Sequence, residues 1–400
     1  MRQSKFLTRV MLHNYKSIAN CDVSLGPITY LVGANGAGKS NFLDALHFAK
    51  DALIGSLENA INERGGLSNV RRRSYGHPTH FGIRLELILP NGQSGYYAFK
   101  VGALPSGGYE VQKEECQIGT KGKGPFFRLE RGELVASSVE TFPSTITAGR
   151  LALVVASGLP PFRPVFDALT SMGFYNINPK IVRELQKPQD GRLLRSAGEN
   201  IASVIGHLES NSPESLEVIG EYLQKVVPTV RDVRRKSVGP AETLIFRQQV
   251  AGARDPWKFE AQNMSDGTLR TVGILAALFQ GNGDFSPTLI GIEEPETALH
   301  PAASAAVREA LQRASEHCQV IVVSHSPDLL DDPSIAEDSI IAVLAEDGVT
   351  KMAPIDQPSR SVLREHLFSV GELMRLNQLA PDREVLARID KRQLNLFEDM

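Results

Sequence analysis

The stretch GANGAGKS, Gly33 to Ser40, sets a lysine and a hydroxyl behind three glycines in the spacing G-x-x-x-x-G-K-[ST]. Glycines there let backbone N–H groups close on a phosphate where a Cβ would obstruct. Lys39 brings a point charge to β- and γ-phosphate oxygens, and the Ser40 hydroxyl is a ligand for Mg2+. The candidate cofactor-binding run is Gly33, Ala34, Asn35, Gly36, Ala37, Gly38, Lys39, Ser40 and Asn41, for a polyphosphate and its Mg2+. A second stretch, TLIGIEEPETALHP, Thr288 to Pro301, is an apolar run delivering Glu293 and Glu294 to its end. Ligands of open α/β sheets lie at such strand ends. Glu293 is the candidate carboxylate for Mg2+, beside Ser40. Glu294 is the candidate that orients or deprotonates the water for in-line attack. Taken alone, the two acids would equally serve the N-terminus of a helix opened by Pro295. A third stretch, QVIVVSHSPDLL, ends on His325, which can hydrogen-bond a γ-phosphate oxygen or the lytic water. The catalytic candidates are therefore Glu294, His325 and Lys39. In a fourth, MSDGTLR, Ser265 and Gly267 precede the apolar run TVGILAALFQ. Open amides at a helix start attract phosphate, although a serine N-cap with glycine in the adjoining turn accounts for the same residues.

These stretches need elements to hold them. ITYLV before Gly33 reads as a buried strand, and NFLDALHFAKDAL after Ser40 as a helix beginning at Lys39. From His80 to about Ser138, alternating apolar and polar residues broken by Gly, Pro and Asn turns predict an antiparallel meander. Residues from about Ser144 to Lys225 read as helical, and Val227 to Val250 returns to strands. TLIGIEEPE and VIVVSHS then read as buried parallel strands alternating with helices. The expected divisions are 1–140, an N-terminal half with the phosphate loop and meander; 141–230, an inserted helical lobe; 231–355, a C-terminal half; and 356–400, a helical extension and tail.

The 400 residues carry a net charge of −3 and 42% hydrophobic content, so overall charge gives no argument for nucleic acid. Three scattered cysteines, Cys21, Cys116 and Cys318, lack metal spacing and fit a reducing compartment. No apolar run approaches the length of a membrane span. A cytoplasmic protein without membrane contact is expected.

NYKSI, LVGANGAGKSNFLDAL, MSDGTLR, IEEPETALHP and VVSHSPDLL, in this order from Asn14 to Leu330, resemble the ATP-binding-cassette class of P-loop ATPases. The likeness is to its soluble branch with the SMC, RecF and OLD-type ATPases, and to bacterial AAA-family ATPases whose acidic motif reads E-E-P-E-x-x-L-H-P. The resemblance implies an α/β P-loop NTPase with an ABC-ATPase head: a mixed central sheet flanked by helices, an antiparallel meander and an inserted helical lobe. It further implies that Ser265 and Gly267 belong to a signature turn docking on the γ-phosphate held by a second copy. The expected assembly is a homodimer, or higher even oligomer, closed around ATP. Asn14 and Lys16 would lie near adenine and phosphates, and Thr297 to His300 would link the two sites. Asp266 and Thr268 replace the glycines of the transporter pattern, and Glu293 replaces the usual aspartate.

The expected work is a conformational switch in defence against phage, gating a separate effector, a nuclease or toxin, since only about seventy residues follow His325. The competing reading is a DNA-repair ATPase gripping duplex through Arg71–Arg73 and Arg234–Lys236, clusters that serve equally as a solvated face. QLNLF, Gln393 to Phe397, resembles the bacterial sliding-clamp-binding pentapeptide, with docking on the chain's own surface as the alternative.

Overall fold

The structure, a computed structural model, describes residues 5–74, 78–120, 123–281, 286–299, 301–391 and 394–397. Numbered along the chain, the strands are β1 (Leu7–Tyr15), β2 (Ile18–Ser24), β3 (Ile28–Val32), β4 (His80–Ile88), β5 (Ser94–Ala103), β6 (Tyr109–Ile118), β7 (Phe126–Glu130), β8 (Glu133–Ser137), β9 (Gly173–Tyr175), β10 (Val230–Val238), β11 (Ala241–Gln248), β12 (Trp257–Glu260), β13 (Leu289–Glu293), β14 (Gln319–Ser324), β15 (Ile340–Glu346) and β16 (Val349–Pro354). They fall into two compact units. The first holds residues 1–172, 336–367 and 378–400; the second holds 173–335 and 368–377.

In the first unit a mixed sheet runs β8-β7-β6-β5-β4-β1-β2-β16-β15-β3. The expected meander is there: β4 to β8 pair antiparallel in sequence order, and β4 also pairs with β1. β15 and β16 form a hairpin through Asp347 and Gly348, both at positive φ (51° and 73°), the signature of a tight primed turn. β15 then lies parallel to β3 and β16 parallel to β2. The helix Lys39–Ile54 buries Phe42, Leu43, Ala45, Leu46, Ala49 and Leu53 at helical spacing. Its Phe48 anchors it, with ring centroids 5.9 Å from Tyr15 of β1, 5.3 Å from Phe81 of β4 and 6.4 Å from Phe99 of β5. Each such buried aromatic contributes about 2–3 kcal/mol, so the helix that opens at Lys39 is fixed to three strands.

In the second unit β9, β13 and β14 are parallel, with β13 in the centre. LIGI of β13 and all of β14 are buried, as in strands covered on both faces. The helix Asp266–Phe279 is buried continuously from Thr268 to Leu278, which suits an element apolar all round. β10, β11 and β12 form a separate antiparallel sheet.

One feature departs from the expected layout. The helical stretch Ser144–Lys225 contains the strand β9, three buried residues too short for periodicity to distinguish from a helix turn. The compact units divide the chain after 172 and after 335. Residues 141–172 stay with the meander because Phe142 and Phe162 pack on Phe127 of β7, with centroids 4.9 and 5.1 Å away. Residues 368–377 join the second unit through Gly371 N–H on Leu330 O (3.1 Å) and the Ser369 hydroxyl on Asp331 (2.5 Å). Among the described residues no helix is long and apolar enough to cross a membrane, and all three cysteines are free.

Candidate functional site

The phosphate loop lies wholly in the first unit. β3 runs out at Val32, and Gly33 turns the chain so close to β15 that a Cβ would sit 2.0 Å from the Val343 carbonyl oxygen. Gly38, the N-cap of Lys39–Ile54, is left-handed at φ 99°, and its Cβ would meet Thr350 Oγ1 at 1.9 Å. Gly36, at φ 78°, faces open space. Lys39 Nζ donates to the carbonyls of Gly33 (2.8 Å) and Ala34 (2.9 Å), so its ammonium is held over the loop. Ser40 is exposed at the start of the helix. Thr350 Oγ1 donates to Ala37 O (2.9 Å) and lies 2.6 Å from Ser17 Oγ, which also accepts from Asn41 Nδ2 (2.6 Å). Neither Ser17 nor Thr350 was identified from the sequence. Thr350 acts across 313 positions, so no local signal exists to find it.

Asn14 and Lys16 lie at the β1–β2 turn, both at positive φ (53° and 46°). Asn14 is buried, with Nδ2 donating to His13 Nε2 (2.8 Å). The Lys16 ammonium sits 2.5 Å from Asp44 of the loop helix, where Tyr15 OH (2.7 Å) and Arg64 Nε (2.9 Å) also donate. Burial alone would raise the Asp44 carboxyl, but Arg64, Lys16 and Tyr15 together hold it below the usual carboxylate range. The turn is thus clamped to the helix carrying Lys39 and Ser40.

Glu293, Glu294, Ser265, Gly267 and His325 all belong to the second unit. Glu293 ends β13, and Glu294 follows at φ 46°, a conformation that costs a non-glycine residue about 1 kcal/mol or more. Strain of this kind concentrates where geometry serves function. Glu294 N–H is held by Val323 O (2.8 Å), and its carboxylate lies 3.4 Å from His325 Nδ1. Arg270, the last residue of MSDGTLR, is buried and reaches under this turn. It donates to the carbonyls of Ile177 (2.9 Å), Glu293 (3.2 Å) and Glu294 (2.9 Å). Burial pulls its guanidinium below the ordinary value, opposed by Glu294 and Glu296. The sequence reading assigned Arg270 no role, although a lone arginine opening an apolar helix was the available signal. Glu296, the third acid of EEPE, was also passed over; it is buried and accepts from Ser324 Oγ (2.7 Å) and His325 N (3.3 Å).

Ser265 is the N-cap of Asp266–Phe279, accepting from Thr268 N (3.2 Å), and is exposed. Gly267 has an intramolecular reason to be glycine: a Cβ would lie 2.5 Å from Ala298 O. Arg183 reaches across to Met264 O (3.0 Å) and Asp266 (2.5 Å). Thr297 hydrogen-bonds Glu294 through side chain (3.3 Å) and backbone (3.1 Å), while His300 lies outside the described residues.

The basic clusters are largely engaged. Arg71 donates to Pro78 O (2.9 Å) and Arg73 to Ser68 O (3.1 Å). Arg234 pairs with Glu209 (3.1 Å), Lys236 with Glu260 (2.5 Å), and Arg235 lies 3.8 Å from Glu242. At the tail, Gln393 lies outside the described residues, and Leu396 is buried against the meander. Arg84 donates to its carbonyl (3.1 Å), Gly82 leaves room for its side chain, and Lys113 lies over the Phe397 ring at 4.8 Å.

Residues 28–117 and 179–331 match the family described as "AAA domain, putative AbiEii toxin, Type IV TA system". The chain is 26% identical over 351 residues to the Old nuclease of Escherichia phage P2, covering 81% of this chain and 57% of that protein. It is 23% identical over 345 residues to the OLD nuclease of Thermus scotoductus, covering 81% and 60%. It therefore spans less than two thirds of these relatives' length. Among solved structures, the SmcHead bound to the C-winged helix domain of ScpA superposes with a TM-score of 0.56 at 14% identity, covering 88% of this chain and 99% of that one. The Pyrococcus furiosus Smc head, solved with the C-terminal domain of ScpA, gives 0.55 at 13%, covering 90% and 99%. The fold is thus that of a P-loop NTPase head. The chain belongs to the "AAA domain, putative AbiEii toxin, Type IV TA system" family, in the OLD- and SMC-like branch of P-loop ATPases.

Proposed function

We propose that the protein hydrolyses ATP to ADP and phosphate and uses the cycle as a dimeric conformational switch. The supporting observation is Glu294, held in a left-handed turn by Arg270 and Val323 with its carboxylate beside His325, in a chain that also carries a formed phosphate loop. Gly33 to Gly38 present amides to the phosphates, and Lys39 moves from the loop carbonyls to the β/γ oxygens. Ser40 is the phosphate-loop residue that would hold Mg2+ and Glu293 the acidic candidate for it; the ion would supply charge neutralisation at the γ-phosphate. Glu294 takes a proton from the attacking water as the water oxygen bonds phosphorus and the bond to ADP breaks. Ser265, exposed at its helix start, docks on the γ-phosphate of a second copy. Binding ATP better in the closed pair than in separate chains is what lets nucleotide shift the equilibrium.

The work of the switch is antiviral defence within a cytoplasm, gating a separate nuclease or toxin effector. DNA gripped by Arg71–Arg73 and Arg234–Lys236 is the less supported reading, because most of these cations are bound to carboxylates or carbonyls of the chain itself. A sliding clamp would take Gln393–Phe397 only after Leu396 leaves the meander. The test is Glu294→Gln assayed by phosphate release and light scattering. The expected result is hydrolysis lower by about 100-fold or more, with ATP retained and dimer accumulated. Hydrolysis at the wild-type rate overturns the assignment.

A further inference from the structure

EEPE presents three carboxylates, and the hydrolysis reading employs only the first two. Glu296 is over nine-tenths buried. A residue needed there only for packing would be apolar, since burying a carboxylate costs several kcal/mol unless hydrogen bonds offset it. Its Oε1 accepts from two successive residues at the end of β14, the Ser324 hydroxyl (2.7 Å) and the His325 amide (3.3 Å). Ser324 Oγ in turn accepts from Ser326 N (3.0 Å), so one carboxylate oxygen organises the whole Ser-His-Ser turn. Its other oxygen, Oε2, is buried and, among the described residues, has no hydrogen-bond partner. The same holds for His325 Nδ1, which lies 4.0 Å from Glu296 Oε1 and 3.4 Å from Glu294 Oε1, and for Arg270 Nε. Buried polar atoms are rarely left so. Here three of them come from three segments, the turn after β13, the turn after β14 and the helix Asp266–Phe279, and the imidazole of His325 lies close enough to the Glu296 carboxylate for a small rotation to pair Nδ1 with it.

We propose that Glu296 is a positioning residue for hydrolysis. It fixes the backbone of the Ser324–Ser326 turn and, in the ATP-bound state, accepts a hydrogen bond from the Nδ1–H of His325. That places the imidazole in the tautomer whose Nε2 accepts a hydrogen bond from the attacking water. Glu296 itself touches neither nucleotide nor water. The inference rests on the ATPase reading and adds to it the residue that sets the histidine.

The test is steady-state ATP hydrolysis by the full chain with Mg2+, comparing wild type, Glu296→Gln, His325→Gln, their double variant, Ser324→Ala and Glu294→Gln. Thermal melts confirm folding. Glu296→Gln is expected to lower kcat about 10- to 100-fold, as for lost orienting partners elsewhere, with KM changed by less than about threefold. The double variant should be no slower than His325→Gln alone, because Glu296 acts through that ring. Ser324→Ala, which loosens the same turn and keeps the charge, should give a smaller loss. Multiplying losses, or a KM rise matching the fall in kcat, overturn the role. Normal turnover by Glu294→Gln defeats the assignment of the base and leaves the Glu296–His325 cycle to be judged separately. If wild type turns over no ATP, 15N spectra of the histidine rings decide: a His325 resonance unchanged by Glu296→Gln overturns the contact, and a shifted one supports it.

Discussion

Glu114 on β6 shows how much one buried carboxylate can do away from any chemistry. It is 1% exposed and accepts from Ala152 N (2.6 Å), Leu153 N (2.8 Å) and Tyr97 OH (2.9 Å), capping the helix Ala152–Ala156 from outside its own segment. Burial pushes its carboxyl up to about 7 despite those donors. A carboxyl raised in the folded state binds its proton more tightly there than when unfolded. Its contribution to stability is therefore complete below about pH 4.5 and is lost as pH rises to about 7, a change of about 3 kcal/mol. Chemical denaturation of wild type and Glu114→Gln from pH 5 to 8 checks this. Wild type should lose stability across that window relative to the variant, and parallel curves would refute the assignment.

At the scale of elements, the phosphate loop is shaped from both sides, and its glycines answer different demands. Gly36 meets open space and is required only by its positive φ, so Gly36→Ala should cost the nucleotide-free protein about 1 kcal/mol. Gly38→Ala must also displace Thr350, breaking its bonds to Ala37 O and Ser17, which adds about 1–3 kcal/mol. Melting the two variants without nucleotide should rank Gly38→Ala clearly below Gly36→Ala; equal losses would show that Thr350 does not brace the loop. The same contrast marks what was legible in the sequence. The loop, the strand ITYLV before it and the helix after it were readable because their pattern is contiguous, and the meander because alternation is local. Thr350, Ser17 and the arginine clamp on Glu293 and Glu294 were not, because they depend on pairings between distant segments. β9 escaped because three residues carry no period, and the approach of Ala298 O to Gly267 is another pairing between distant segments.

For the whole molecule, the proposed switch needs two chains, and that requirement can be separated from the competence of each chain alone. Ser265 is exposed and caps its own helix, so an arginine there leaves the packing beneath it intact while blocking approach to another chain's phosphate. Lys39 is a residue of the opposite kind: it lies inside its own loop, and Lys39→Ala removes the charge that holds β- and γ-oxygens. Each variant should be inactive by itself. In a symmetric pair where every site takes Lys39 from one chain and Ser265 from the other, a mixed dimer of the two variants contains one intact site and one doubly damaged site. With random pairing at equal concentrations, half the dimers are mixed, so phosphate release should return to about a quarter of wild type. A site built within a single chain predicts no recovery at any mixing ratio. Ser265 then acts only as a cap, and Ser265→Arg alone should cost little more than the loss of one N-cap, about 1 kcal/mol of stability with hydrolysis preserved.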